Sequence, residues 1–211
     1  MNLSSVYPID KLEFSKSRLA SGILWLFQLS GIIGILLGFE NWFIQKTPLN
    51  LMVQALLFVW VFSLLEPKKI KLFFLLFSLG LLIEIIGVHT AFPFGDYDYG
   101  SNLGGKILGV PFLIGCNWAI LVLSCSTIAK KLHPKKWVQA LIGAGLMLLL
   151  DIPLEIIAPE FDFWHFEQGV GSLNFISWFL LAFFLHLICL SFKVEGNDFF
   201  SKQFYFSQLL F

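Results

Sequence analysis

Residues 70–118 read IKLFFLLFSLGLLIEIIGVHTAFPFGDYDYGSNLGGKILGVPFLIGCNW. The stretch opens on an apolar run, Ile70 to His89, long enough to cross about 30 Å of hydrocarbon as a helix, for which roughly 20 residues are needed. It continues through an acidic, tyrosine-rich turn and restarts at a Gly-Val-Pro helix opening, Gly109-Val110-Pro111. Inside the first run sits Glu84. A charged side chain at the centre of a membrane helix costs about 2.5–3.5 kcal/mol on insertion scales, so such a residue is a functional candidate by default.

Working outward, five more apolar runs of comparable length appear: Ala20 to Phe39, Pro48 to Leu65, Gly109 to Ala129, Trp137 to Ala158 and Leu173 to Phe192. The whole chain is 57% hydrophobic and 13% charged, whereas soluble domains carry about a quarter charged residues. The sequence therefore predicts an all-α, polytopic transmembrane helix bundle of about six spans, an integral membrane protein whose surroundings are the lipid bilayer. Its expected division is an N-terminal segment (1–19), a membrane domain (20–192) with the site in 84–178, and a tail (193–211) lying along the membrane surface. Twelve of the fourteen Lys and Arg flank one side of these spans, and only Lys46 and Lys106 fall on the other. The positive-inside rule then sets both termini in the cytoplasm and the acidic, aromatic loops on the outer face, as at a bacterial inner membrane. A net charge of zero with no concentrated basic surface argues against a nucleic-acid partner. Cys116, Cys125 and Cys189 fall in apolar runs at no metal-ligand spacing and read as packing residues.

An internal repeat ties two loops together. Trp118 follows Gly109 by nine positions, as Trp178 follows Gly169; Glu84 precedes Phe94 by ten, as Asp151 precedes Phe161. Spans three-four and five-six thus read as two parallel copies of a helix-loop-helix unit.

Three acids lie at membrane depth with no Lys or Arg beside them: Glu84, Asp151 and Glu155. Asp151 and Glu155, four apart, share one helix face, although Glu155 is near enough to its helix end to reach water. A carboxyl group kept from water without a basic partner is a proton donor. Asp96 and His165 on the loops join Glu84 and Asp151 as candidate catalytic groups, and His89 lies at the same mouth. Tyr97, Tyr99, Trp118, Trp164 and Trp178 form either an interfacial aromatic belt or the walls of an apolar cavity whose π faces stabilise a cation. A metal centre among the acids and histidines is disfavoured, because no HxxxH or ExxH element occurs.

These residues resemble the CruF-type carotenoid hydratases. The first family-like block is Glu84, Thr90, Phe94-Gly95-Asp96-Tyr97-Asp98-Tyr99, Leu103-Gly104, Gly109-Val110-Pro111 and Trp118; the second is Asp151, Phe163-Trp164, Gly169-Val170, Asn174-Phe175 and Trp178. Ala91, Gly171 and Ile152 depart from the pattern. The resemblance implies hydration of the terminal double bond of an acyclic (ψ) end group, on an acyclic or monocyclic carotenoid, to a tertiary alcohol. It needs no redox cofactor and no metal. Thr90, Tyr97, Tyr99, Trp118, Trp164, Asn174 and Trp178 would line the substrate, with Asp151 or Glu84 as acid and the other holding water. A lycopene-cyclase-like enzyme, suggested by Pro153-Leu154-Glu155, and a proton-coupled transporter remain the competing readings.

Overall fold

The protein is described by a computed structural model over residues 9–210, with side-chain placement from Ser15 onward; residues 1–8 of the expected N-terminal segment lie outside the described residues. Helix α1 (Ile9–Leu36) begins well before the expected first span and turns through a short α2 (Glu40–Ile44) into α3 (Thr47–Phe62). Then come α4 (Pro67–Thr90), α5 (Phe112–Leu132), α6 (Lys136–Ile157), α7 (Ser172–Ser191) and α8 (Asp198–Leu210).

Five of these helices are long and apolar enough to cross a membrane. The second expected span is shorter than its apolar run: α3 has 16 residues and stops at Ser63, whose φ of 51° is left-handed. At 1.5 Å per residue it is about 24 Å long, less than the hydrocarbon thickness. Pro48 and Pro67 sit in the first turns of α3 and α4, where a missing N–H costs nothing. Pro153 lies inside α6, which nevertheless runs on to Ile157.

Helix α5 is the axis of the bundle. From Trp118 to Ala129 every residue is buried, and it packs against α3, α4, α6, α7 and α8; a helix apolar all round is one surrounded by others. Four small strands close one end. The Gly-Val-Pro segment does not open α5 as the sequence suggested: Val110–Pro111 (β3) pairs with Lys106–Ile107 (β2) in a hairpin. Its two central residues, Leu108 and Gly109, have φ of 48° and 86°, the left-handed pair a two-residue hairpin turn demands. Helix α5 starts after it, at Phe112.

Strand β1 (Tyr97–Tyr99) of the α4–α5 loop pairs antiparallel with β4 (Trp164–Phe166) of the α6–α7 loop, with Tyr97 opposite Phe166, Asp98 opposite His165 and Tyr99 opposite Trp164. The two copies of the repeat thus meet through their loops. Asp162 clasps the pair: its Oδ2 accepts from the Ser101 amide (2.8 Å) and hydroxyl (2.5 Å), and its Oδ1 lies 3.0 Å from His165 Nε2. Ser177 Oγ donates to the Pro93 carbonyl at 2.8 Å, tying α7 to the other loop.

The tail folds as α8, which packs against α1 and α5, burying Phe200, Ser201, Phe204, Tyr205 and Ser207. That i, i+1, i+4, i+5, i+7 stripe is one face of a helix. Phe58, stacked on Phe62 with centroids 3.9 Å apart, meets Phe204 edge-on at 6.2 Å.

Candidate active site

Glu84 is 2% exposed, two turns from the end of α4. Its two oxygens are fully engaged: Tyr97 Oη donates to Oε2 at 2.5 Å, Tyr99 Oη to the same oxygen at 2.9 Å, and Trp118 Nε1 to Oε1 at 2.9 Å. Local sequence explains how three rings reach one carboxylate. Gly80 and Gly87 flank Glu84 at i−4 and i+3, the same face of α4. A Cβ on Gly80 would stand 2.6 Å from Trp118 Cβ, and one on Gly87 would stand 2.7 Å from Tyr97 Oη. Burial, and after it the neighbouring Glu84 carboxylate, pushes the Tyr97 and Tyr99 hydroxyls above the ordinary tyrosine value, so both stay protonated and donate.

Glu155, left open by the sequence, is 8% exposed and also bonded on both oxygens: Trp164 Nε1 donates to Oε2 at 2.9 Å and Asn174 Nδ2 to Oε1 at 2.7 Å. Asp151, one turn earlier on α6 and 3% exposed, differs from both, because its Oδ2 accepts no hydrogen bond from any group among the described residues.

All three acids line a single cavity. Its walls include Phe94, Tyr97, Tyr99, Trp164, Phe166 and the Trp118–Trp178 pair, whose rings stack 4.0 Å apart. That pair joins equivalent positions of the two repeat units. Phe166 also stacks on Tyr97, 5.1 Å between centroids.

Of the residues expected at the site, Glu84, Asp151, Tyr97, Tyr99, Trp118, Trp164, Asn174 and Trp178 are brought together around this cavity. Three are not. Strand alternation turns Tyr97 and Tyr99 inward and leaves Asp98 exposed; Asp96, two positions away and on the same outward parity, is exposed with it. His165, opposite Asp98, pairs with Asp162 on that outer side. Thr90 is exposed at the end of α4, its hydroxyl donating to the Ile86 carbonyl at 2.7 Å. Asp96, His165 and Thr90 therefore belong to the framework of the loops.

The sequence reading also passed over a cluster of amides on the same cavity. Gln28 of α1, 1% exposed, accepts from Asn50 Nδ2 (3.4 Å) and Gln54 Nε2 (3.5 Å) of α3; Gln54 Oε1 accepts from Gln208 Nε2 of α8 at 2.5 Å. Amides inside apolar runs are themselves the signal that was available. Among the described residues no three His, Cys, Asp or Glu side chains converge closely enough to hold a metal ion.

The comparisons with known proteins agree with this architecture. Over 114 residues, half of this chain, the sequence is 32% identical to bisanhydrobacterioruberin hydratase of Haloarcula japonica. The match spans only 38% of that protein's length. No solved structure matches. The family described as "Carotenoid biosynthesis protein" matches residues 46–205, a stretch holding α3 through α7 and every acid of the cavity. The chain belongs to that family.

Proposed function

We propose that this protein hydrates the terminal double bond of an acyclic ψ end group on a carotenoid, acyclic or monocyclic, by acid catalysis. The observation that carries the reading is the division of labour among three buried carboxyls on one aromatic-walled cavity. Glu84 and Glu155 are clamped by donors, while one oxygen of Asp151 has none.

A carboxyl oxygen in an oily cavity with no donor is best accommodated as the neutral acid. Asp151 donates its proton to the CH carbon of the dimethyl-substituted alkene, and the positive charge develops on the tertiary carbon. The faces of Trp118, Trp178 and Tyr97 stabilise that cation. A water in the cavity attacks the tertiary carbon through its oxygen and gives up a proton to a carboxylate, Glu84 or Glu155, which Asp151 regains by exchange. The sum is one water added across one double bond, with no electron transferred. Proton donation of this kind contributes about 10²–10⁴-fold in rate, and the apolar walls limit competing solvent around the cation. The reading includes the orientation expected from the basic flanks, with the loops on the outer face.

The experiment is mass analysis of pigments from carotenoid-producing cells with and without this protein. The expected product gains the mass of one water and a tertiary hydroxyl. A new ring at unchanged mass would instead identify a cyclase, and unchanged pigments would remove the reading.

A further inference from the structure

The β1–β4 pairing and the Asp162 clasp tie the two loops together across the loop end of the cavity, and a substrate dissolved in the bilayer approaches from the side of the bundle. A second hollow opens on the side of the bundle between α1, α2 and α3. Its walls are bulky and apolar: Leu26, Phe27, Trp42, Phe43 and Leu49. Leu26 is 64% and Trp42 57% exposed, a lateral surface at the level of the apolar runs. Small residues, Ser30 and Gly31, leave the space between them. Thr47 and Asn50 line this groove and also the carboxyl cavity. The two hollows therefore share a wall, formed where the chain turns into the short helix α3.

We infer that the α1–α2–α3 groove is the lateral binding site for the polyene body of the substrate, whose end passes Thr47 and Asn50 to reach the acids. The inference rests on the hydratase reading for the identity of the substrate. The chemistry is that of a long, rigid hydrocarbon. Its end is to reach the cavity that the three acids line, and its remaining length needs an apolar surface beside that cavity. The groove offers aromatic and aliphatic contact along that path, and Lys46, 5.7 Å from the Trp42 ring centroid, marks its polar edge.

The test fills the groove without touching the acids. Ser30 is exposed, so Ser30→Trp occupies the hollow without displacing buried side chains; Gly31→Leu is a second filling. Leu29→Trp, on an exposed neighbour outside the groove, is the control. Purified from carotenoid-producing cells, wild type and Leu29→Trp should retain equal pigment per protein, and both groove variants at least fivefold less, with at least a tenfold loss of hydroxylated product. Equal pigment retention in the groove variants and wild type overturns the inference, as does an equal loss in all three variants. Pigment bound by wild type and lost from the groove variants, with no hydroxylated product in any cell, upholds the groove and overturns the hydratase reading instead.

Discussion

Asp151→Asn and Glu84→Gln remove the same chemical feature from two buried acids, yet the structure expects opposite consequences for folding. Glu84 receives three donors on two oxygens, and a glutamine has one acceptor oxygen. Whichever way the amide turns, at least one donor meets an N–H₂ group. A buried donor left unmatched costs about 1–3 kcal/mol, which at about 2–4 °C per kcal/mol for a chain of this size lowers the melting temperature by roughly 2–12 °C. Asp151 Oδ2 accepts nothing from the protein, so Asp151→Asn forfeits no bond there and should melt within about 2 °C of wild type. Its effect falls on turnover: loss of a general acid lowers the rate by about 10²–10⁴, or about 2.7–5.5 kcal/mol in barrier. Thermal melts in detergent, paired with pigment analysis, read both quantities. Wild-type product from Asp151→Asn, or a destabilised Asp151→Asn beside an unaffected Glu84→Gln, would refute the assignment of roles.

Other outcomes follow from the same geometry. Gly87→Ala sets a Cβ 2.7 Å from Tyr97 Oη; overpacking of this kind costs about 1–3 kcal/mol, and a lower melting temperature with reduced product is expected. Thr90→Val, Asp96→Asn and His165→Gln lie outside the cavity, and each should keep at least half of wild-type product in the pigment assay. The Ser101 hydroxyl and amide, with His165, hold the Asp162 carboxyl down at about 2 from its ordinary 3.8. A folded value below the unfolded one means that the stabilisation is complete above about pH 4 and is lost as pH falls toward 2. Melting curves should therefore show an acid loss in that window which Asp162→Asn abolishes, with no step from this group between pH 5 and 8.

The helices were legible because hydropathy reports what must be shielded from water, and a membrane demands it over a fixed length. Glu84 and Asp151 stood out for the same reason. The side of the loop residues was not legible from single residue types. Thr90, Asp96 and His165 looked as reactive as their neighbours, and only the alternation of Tyr97-Asp98-Tyr99 against Trp164-His165-Phe166 separates inward rings from outward polar groups. That pattern was present in the sequence, but three-residue strands give too short a period to read without their partner. Gln28, Asn50, Gln54 and Gln208 lie on three different helices, and only the packing of α1, α3 and α8 brings their uncharged amides into one cluster. Helix α8 was hidden by its length, since 13 residues are too few for a span and its buried face emerges only against α1 and α5.

The repeat explains how a near-symmetric frame holds unequal acids. Trp118 and Trp178, each nine residues after a glycine of its motif, stack on one another, and β1 pairs with β4 between the two loops. Perfect symmetry would give the two equivalent acids, Glu84 and Asp151, the same partners. Instead the first unit directs all of its donors to Glu84, whereas Trp164 and Asn174 of the second reach past Asp151 to Glu155, one helical turn further along α6. Three carboxyls in one cavity thus divide into two that are held as acceptors and one left with an unengaged oxygen. Water addition needs both a proton donor and a proton acceptor in the same space, and in the proposed mechanism the four-residue step from Asp151 to Glu155 along α6 supplies such a pair.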